Sequence, residues 1–409
     1  MSHPGTLVLI MAVAVTAPLL AYGLGRWVGI PLVIFEIVLG ILIGPDVLGW
    51  AHRGDPVIDT LSHLGLSMLI FMAGYEIEFP AVRGDTLRRA VWAWLIALVL
   101  GIGLMFAITG AEVSKSLLIG TALTSTALGT VLPVLRDSGD LKGRFGTVMM
   151  AFGAVGEFGP IIAIALLLSG RSPGKSSALL AAFAVITAAL VWWALRPRAP
   201  WFSAVVTKTL HTSGQFAVRA VMLLLAAMLG LSHVFGLDVL LGAFAAGMLT
   251  RLLLGGAAPG TAEEVLGKVE AMGFGFLVPV FYIVTGVEFD LGALLDGGRP
   301  LLLLPVFLLL FLVVRGGPVY ALAPRDLSGT DRRALTLFAA TCLPLVVAIT
   351  TIGLDEEVLG SGEAAALVGA AMISVLVYPL IALRLRAQAA GTSGSSAPKD
   401  RAAGTEEVW

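Results

Sequence analysis

Apolar runs separated by short polar punctuation fill most of this 409-residue chain. A bilayer-spanning helix needs roughly 20 mostly apolar residues. Runs of about that length occupy 6–27, 31–50, 58–78, 89–110, 114–135, 145–169, 176–195, 216–234, 237–253, 265–285, 300–322, 334–353 and 361–383. The pattern predicts an all-α polytopic membrane protein with about 13 transmembrane helices. Alternating ten-residue strands of a membrane barrel are absent. The eighth and ninth runs are separated only by Phe235–Gly236. The fifth and twelfth runs make poor continuous helices. The fifth carries Thr121, Thr124, Ser125, Thr126 and Thr130 with Gly129 and Pro133; the twelfth carries Thr341, Pro344, Thr350 and Thr351. Each is either a kinked helix that uses hydroxyls to satisfy backbone, or a broken one whose half-helix ends face an ion at mid-membrane.

The offset between those two runs is seven spans. It also relates the second run to the ninth: Glu36 and Asp238 are each followed by glycine four residues on and by a second glycine further along. Seven is odd, so the two copies run in opposite directions. Spans 2–6 and 9–13 therefore read as an inverted-topology repeat.

Composition supports a membrane protein and narrows its partners. Hydrophobic residues make up 58%, charged residues 13%, and mean hydropathy is +0.96. That excludes a disordered chain and a disulfide scaffold. Lys+Arg (26) and Asp+Glu (27) nearly cancel, so no nucleic acid is expected as partner. The single cysteine, Cys342, lies in an apolar run. With the N-terminus outside, the cytoplasmic loops and C-terminus hold 20 of the 26 basic residues and the outer loops hold 5. This orientation satisfies the positive-inside rule and puts the C-terminus in the cytoplasm. The first run lacks a basic leader and is expected to be a retained span. Residues 1–386 form the expected transmembrane domain. Residues 387–409, rich in Ala, Gly and Ser, are expected as a disordered cytoplasmic tail. No Walker A sequence occurs, and neither a nucleotide nor another cofactor is expected.

Ionisable groups inside spans carry the candidate chemistry. Glu157 is central in the sixth, among Gly153, Gly156 and Gly159 and before Pro160. The glycines permit close approach of backbone or an ion, and the proline frees a carbonyl. A carboxylate so placed can carry a proton or a metal cation, but hardly both at once; the alternative is a Glu paired permanently with a cation to hold helices together. Arg315 is central in the eleventh span and should meet a carboxylate or a helix C-terminus. Glu36, five residues past Pro31, is either a helix-start charge or a functional group. Asp46 reads as a turn or cap, and Glu76 and Glu78 as a solvated helix end. His63, His211 and His233 have no metal-ligand spacing.

The stretches PLVIFEIVLGILIGPDVLG, LSHLGLSMLIFMAGYEIEF, IGTALTSTALGTVLPVLRDSG, GLDVLLGAFAAGMLTRLL and EEVLGKVEAMGFGFLVPVFYIVTGVEFDL resemble the second family of the monovalent cation:proton antiporter superfamily. The resemblance covers nearly the whole membrane part. It implies a homodimer in a bacterial plasma membrane. Spans 1–3 and 8–10 would form a scaffold, and spans 4–6 and 11–13 a mobile core containing two crossing broken helices. It puts Glu157 at the ion-binding carboxylate, Arg315 at the core cation, and Ser125 and Thr126 at the first break; Thr130, Gly156, Glu36 and Thr350 are supporting candidates. The family usually has Asp preceded by Asn, Gln or Asp, whereas this chain has Gly156–Glu157. The implied function is electroneutral exchange of Na⁺ or K⁺ for a proton. The alternatives are an enzyme using Glu157 as acid/base, or an organic-solute exporter using Arg315.

Overall fold

The computed structural model describes residues 3–25, 31–76, 84–167, parts of 181–192 and 209–212, and 214–394 except 236, 238, 256–259, 296 and 297. Glu78, His211, Asp238, much of the seventh expected span and residues 395–409 lie outside them. The described elements are helical. They are α1 (His3–Gly25), α2 (Leu32–Ile43), α3 (Pro56–Glu76), α4 (Asp85–Ile108), α5 (Val113–Ala122), α6 (Leu128–Asp137), α7 (Arg144–Leu167), α8 (Phe216–Phe235) and α9 (Val239–Leu254). Then come α10 (Thr261–Glu288), a short α11 (Leu291–Leu295), α12 (Arg299–Leu322), α13 (Gly329–Ala339), α14 (Pro344–Asp355) and α15 (Ser361–Gly394). Among the described residues, nine helical stretches are long and apolar enough to cross a bilayer; α2, α9 and Ala181–Leu190 are shorter apolar helices.

Several boundaries differ from expectation, each for a local reason. The second span ends at Ile43, not residue 50. Gly44–Pro45 stops the helix, and the N–H groups of Trp50 and Ala51 turn back to Ile43 O at 3.1 and 2.8 Å. The last helix continues to Gly394, so the first residues assigned to the tail extend α15. Two long helices contain π segments, Gly273–Leu277 and Phe311–Gly316, shortly before Pro279 and Pro318. A proline gives no N–H to the preceding turn, and a wider turn absorbs the mismatch. The doubtful division between the eighth and ninth spans is present, since α8 stops at Phe235 and α9 starts at Val239.

Packing divides the helices into two groups. One comprises α1–α3 and α8–α10. Its seams are glycine pairs that bring backbones together. A Cβ on Gly40 would stand 2.2 Å from Ile283 O, and one on Gly286 would stand 2.2 Å from Ile37 O, so α2 and α10 touch main chain to main chain. Gly74 and Gly247 do the same for α3 and α9. The second group comprises α4–α7 and α12–α15. It is braced at one end by Arg386, which reaches Asp140 through Nε (2.8 Å) and Nη2 (2.7 Å), pairs with Asp331, and lies over the Phe145 ring. At the opposite end Lys115 joins Glu112 and Glu363.

Candidate functional site

The fifth and twelfth predicted spans are both broken, and the breaks meet. Between α5 and α6, residues 123–127 leave the helix. Thr124 and Ser125 turn their hydroxyls back onto Thr121 O and Ala122 O, each at 2.8 Å, and so satisfy carbonyls at the end of α5. Between α13 and α14, the Cys342 N–H donates to Ser374 Oγ on α15, and Pro344 starts the next helix. The Ala127 N–H donates to Thr341 O at 2.7 Å, and Thr126 Oγ1 donates to Ala339 O at 2.7 Å. Each break thus uses the other to satisfy its backbone.

The glycines of α7 build this crossing from the third side. Pro160 cannot donate to Gly156 O four residues back, and that carbonyl instead accepts the Thr126 N–H at 3.0 Å. Gly153, Gly156 and Gly159 share one helix face. Their missing side chains make room for Leu128, for the Arg315 guanidinium with Thr126, and for the Trp94 ring, respectively. Protein therefore fills the space that the sequence left open to an ion. Arg315 is fully buried in the π segment of α12; its Nε donates to Thr126 Oγ1 (3.0 Å) and Nη2 to Phe152 O (2.6 Å). Its partners are a hydroxyl and a helix carbonyl, with no carboxylate among them. Nη1 has no hydrogen-bond partner.

Glu157, one residue on from Gly156, does not join this hydrogen-bond network. It is 5% exposed, and the Leu128 backbone amide at the start of α6 faces its carboxylate. The positive end of a half-helix is thus directed at the acid. No ion pair joins Glu157 to Arg315 or to any other described cation. The charge that reaches it is Glu76, at the end of α3. Glu76 was expected at a solvated helix end; it is half-buried, with Arg136, Arg251 and Glu270 around it. The sequence signal was the unbroken apolar stretch Met68–Tyr75, which offers no polar face before Glu76 and which the structure buries throughout. Next to Glu157, Phe158 sets its ring edge-on against Phe244 of α9.

The remaining candidates are spread out. The Thr130 hydroxyl bonds Ala127 O and the Thr350 hydroxyl bonds Val347 O, each within its own helix turn. Ser125 lies beside the Cys342 thiol. Glu36 is buried on α2 among apolar neighbours. Asp46 is a cap, but of another helix: its carboxylate accepts from Leu291 N (2.8 Å) and Gly292 N (3.3 Å) and pairs with Arg53. Among the described residues no cluster of three His, Cys, Asp or Glu could hold a metal ion.

Known proteins match this architecture along the chain. The chain is 16% identical to the sodium proton antiporter MjNhaP1 from Methanocaldococcus jannaschii at pH 8, with a TM-score of 0.67 over 97% of this chain and 99% of that one. That likeness shows the antiporter fold. In sequence, the chain is 26% identical over 400 residues to the putative Na(+)/H(+) antiporter YjbQ of Bacillus subtilis, covering 92% of this chain and 62% of that protein. It is 23% identical over 385 residues to a Na(+)/H(+) antiporter of Enterococcus hirae, covering 91% of this chain and 96% of the relative. The Na(+)/H(+)-K(+) antiporter GerN of Bacillus cereus is 27% identical over 279 residues, 66% of this chain and 68% of GerN. The family model described as sodium/hydrogen exchanger, transmembrane, matches residues 11–384, and the chain belongs to that family.

Proposed function

We propose that this protein exchanges Na⁺ or K⁺ for protons by alternating access, with Glu157 as the carboxylate that carries either ion. The observation that carries this reading is the pairing pattern of the two buried charges. Arg315 is committed to Thr126 and Phe152, which leaves Glu157 without a counter-charge of its own. An unpaired carboxylate in a membrane interior is stable only with a proton or a cation on it. Both carry one positive charge, so the loaded core has the same net charge in either direction. Moving one unbalanced charge across 100 mV costs about 2.3 kcal/mol, and a one-for-one exchange avoids that cost.

The crossing holds the site rigid while the core moves. Thr126 and Arg315 tie the two breaks to α7, so Glu157 travels with α4–α7 and α12–α15 as one body. The helices α1–α3 and α8–α10 serve as the stationary scaffold and as the dimer contact. Glu76, on the scaffold side, supplies negative potential that draws cations toward Glu157. The charge asymmetry of the loops supports the Glu76 side as cytoplasmic in a bacterial plasma membrane. The matched family and relatives are described as exchangers and antiporters, which favours transport over acid/base catalysis by Glu157.

The test is proton flux in proteoliposomes with a trapped pH dye, pulsed separately with Na⁺, K⁺ and Li⁺. Exchange should appear with at least one cation and vanish in Glu157→Gln, while that variant purifies and melts like the parent. Full exchange in Glu157→Gln removes the carboxylate from the cycle, and steady current in proportion to flux removes electroneutrality.

A further inference from the structure

Ser374 carries no charge and stands among small and apolar residues, so nothing in the sequence marks it, yet it touches the crossing directly. It lies on α15 and is wholly buried. Its hydroxyl accepts the Cys342 N–H at 3.1 Å and stands 3.0 Å from Cys342 O and 2.7 Å from Ala371 O. One side chain thus reaches both backbone groups of a residue inside the second break, where the interrupted helix cannot satisfy them. The break is tied to the first one as well: Thr341 O accepts the Ala127 N–H and Ala339 O accepts the Thr126 hydroxyl, each at 2.7 Å. The Thr126 N–H in turn reaches Gly156 O at 3.0 Å, and Gly156 precedes Glu157. Leu128, two residues on from Thr126, packs where Gly153 lacks a side chain; a Cβ there would stand 2.6 Å from Leu128 Cδ1. Gly153 is one turn before Glu157 on the same face of α7. Hydrogen bonds and adjacent residues therefore connect Ser374, through both breaks, to the turn of α7 that bears the carboxylate. A tie is as firm as the element it is fastened to, and α15 is fastened along its length. Glu363 in its first turn pairs with Lys115, Tyr378 Oη donates to Leu308 O of α12 at 2.5 Å, and Arg386 holds Asp140 and Asp331.

We infer that Ser374 is a positioning residue of the exchange: it pins the second break to α15 and, through Thr341, Ala127 and Thr126, fixes the first break against the turn of α7 that holds Glu157. The inference rests on Glu157 being the exchanging carboxylate. The two ions ask different things of the site. A proton needs one carboxylate oxygen. A cation stripped of its hydration needs several oxygens at set distances together, so it is the ion that suffers when the crossing loosens. Without the Ser374 hydroxyl the Cys342 N–H is buried and unpaired, and the second break shifts to relieve it. That displacement passes to residues 126–128 and weakens cation binding before it affects the proton. Ser374 thereby sets the balance between the two ions at a carboxylate to which it is linked only through other residues.

The experiment measures initial exchange rates in proteoliposomes at one fixed pH, against the concentration of whichever of Na⁺ and K⁺ supports exchange. The proteins are the parent, Ser374→Ala, Ser374→Thr and Ser374→Val, each also melted in detergent. Threonine and valine have the same shape and differ by the hydroxyl, so the extra methyl group strains both alike. Ser374→Ala and Ser374→Val should raise the cation KM roughly three- to tenfold, the worth of one neutral hydrogen bond, with the maximum rate within about twofold of the parent. Ser374→Thr should keep a KM within about twofold of the parent's. A parental KM in Ser374→Ala would overturn the inference even if Tm falls, because stability alone is what a merely structural serine supplies. Equal KM values in Ser374→Thr and Ser374→Val would overturn it too, since the hydroxyl would then be immaterial. So would a loss confined to the maximum rate. Should the alanine and valine variants fail to fold, Ser374→Cys carries the test: a thiol is close in size and a poorer hydrogen-bonding group, so KM should still rise, and a parental value would refute the role. Glu157→Gln runs alongside: exchange surviving there defeats the carrier assignment itself, a result separate from the KM ratios of the Ser374 variants.

Discussion

Gly156→Ala tests whether the guanidinium occupies the space that the sequence leaves empty beside Glu157. The added carbon would stand 2.2 Å from Arg315 Nη2, 2.3 Å from Thr126 Oγ1 and 2.9 Å from Arg315 Cζ. All three are closer than real Cβ contacts, so the guanidinium, Thr126 or α7 must move. The guanidinium is wholly buried and held at 3.0 Å by Thr126 and at 2.6 Å by Phe152 O, so its retreat breaks at least one charge-assisted hydrogen bond. That loss costs about 1.5–3 kcal/mol. Overpacking adds about 1–3 kcal/mol, and the better helix propensity of alanine returns up to about 1 kcal/mol. The net cost is about 2–5 kcal/mol. A typical fold has a stability of about 5–15 kcal/mol, so the effect is large. Thermal melting of the detergent-purified protein should show a Tm lowered by several degrees. The same substitution made in Arg315→Lys should cost less by about 1 kcal/mol or more, because lysine lacks the planar fork that the new carbon strikes. An unchanged Tm, or equal losses in the two backgrounds, would refute the placement of Arg315. Restoring Asn or Asp before the acid, as in the usual family pair, meets the same obstacle.

Three other perturbations follow from the fold and the site. Asp140→Asn should lower Tm at neutral pH by an amount equivalent to about 1–2 kcal/mol, discounted for partial exposure of the pair. The Arg386 hydrogen bonds hold the Asp140 carboxyl below the usual carboxylate range. The ion pair therefore stabilises the fold above the unfolded value of about 3.9 and is lost as pH falls through the lower folded value, so the gap between parent and variant should close in acid; a gap independent of pH would contradict this. Gly286→Ala puts a carbon 2.2 Å from Ile37 O and 2.8 Å from Ile41 N, both main chain, and should reduce the yield of folded protein more than Gly275→Ala, which meets nothing within 4 Å. Equal yields of those two variants would show that α2 and α10 are not in backbone contact. In exchange assays, Glu157→Gln should be inactive with every cation tested, as argued above.

The chain's apolar periodicity was sufficient to determine its solvent, its helical class and the approximate position of most spans. In a bilayer, backbone can be satisfied only within the segment or across a closed sheet, so long apolar runs leave one answer. The two broken helices were legible for a related reason. Thr, Gly and Pro clusters interrupt an otherwise uniform pattern, and the hydroxyls of Thr124 and Ser125 do terminate α5. Glu157 and Arg315 were conspicuous because charge is rare at such depth.

What faced what was decided only by the tertiary structure. Sequence placed Glu157 and Arg315 in one core, where Arg315 bonds Thr126 and Phe152 O and not the carboxylate. The glycines of α7 read as room for an ion, whereas leucine, arginine and tryptophan side chains from three other helices fill it. Glu76 read as solvated because it ends a span, yet the packing around the end of α3 leaves it half-buried. One-dimensional pattern records which residues are costly to bury. Which of them share a boundary depends on the crossing of helices distant in sequence, and on carbonyls such as Gly156 O and Ala339 O that carry no signature in the residue string.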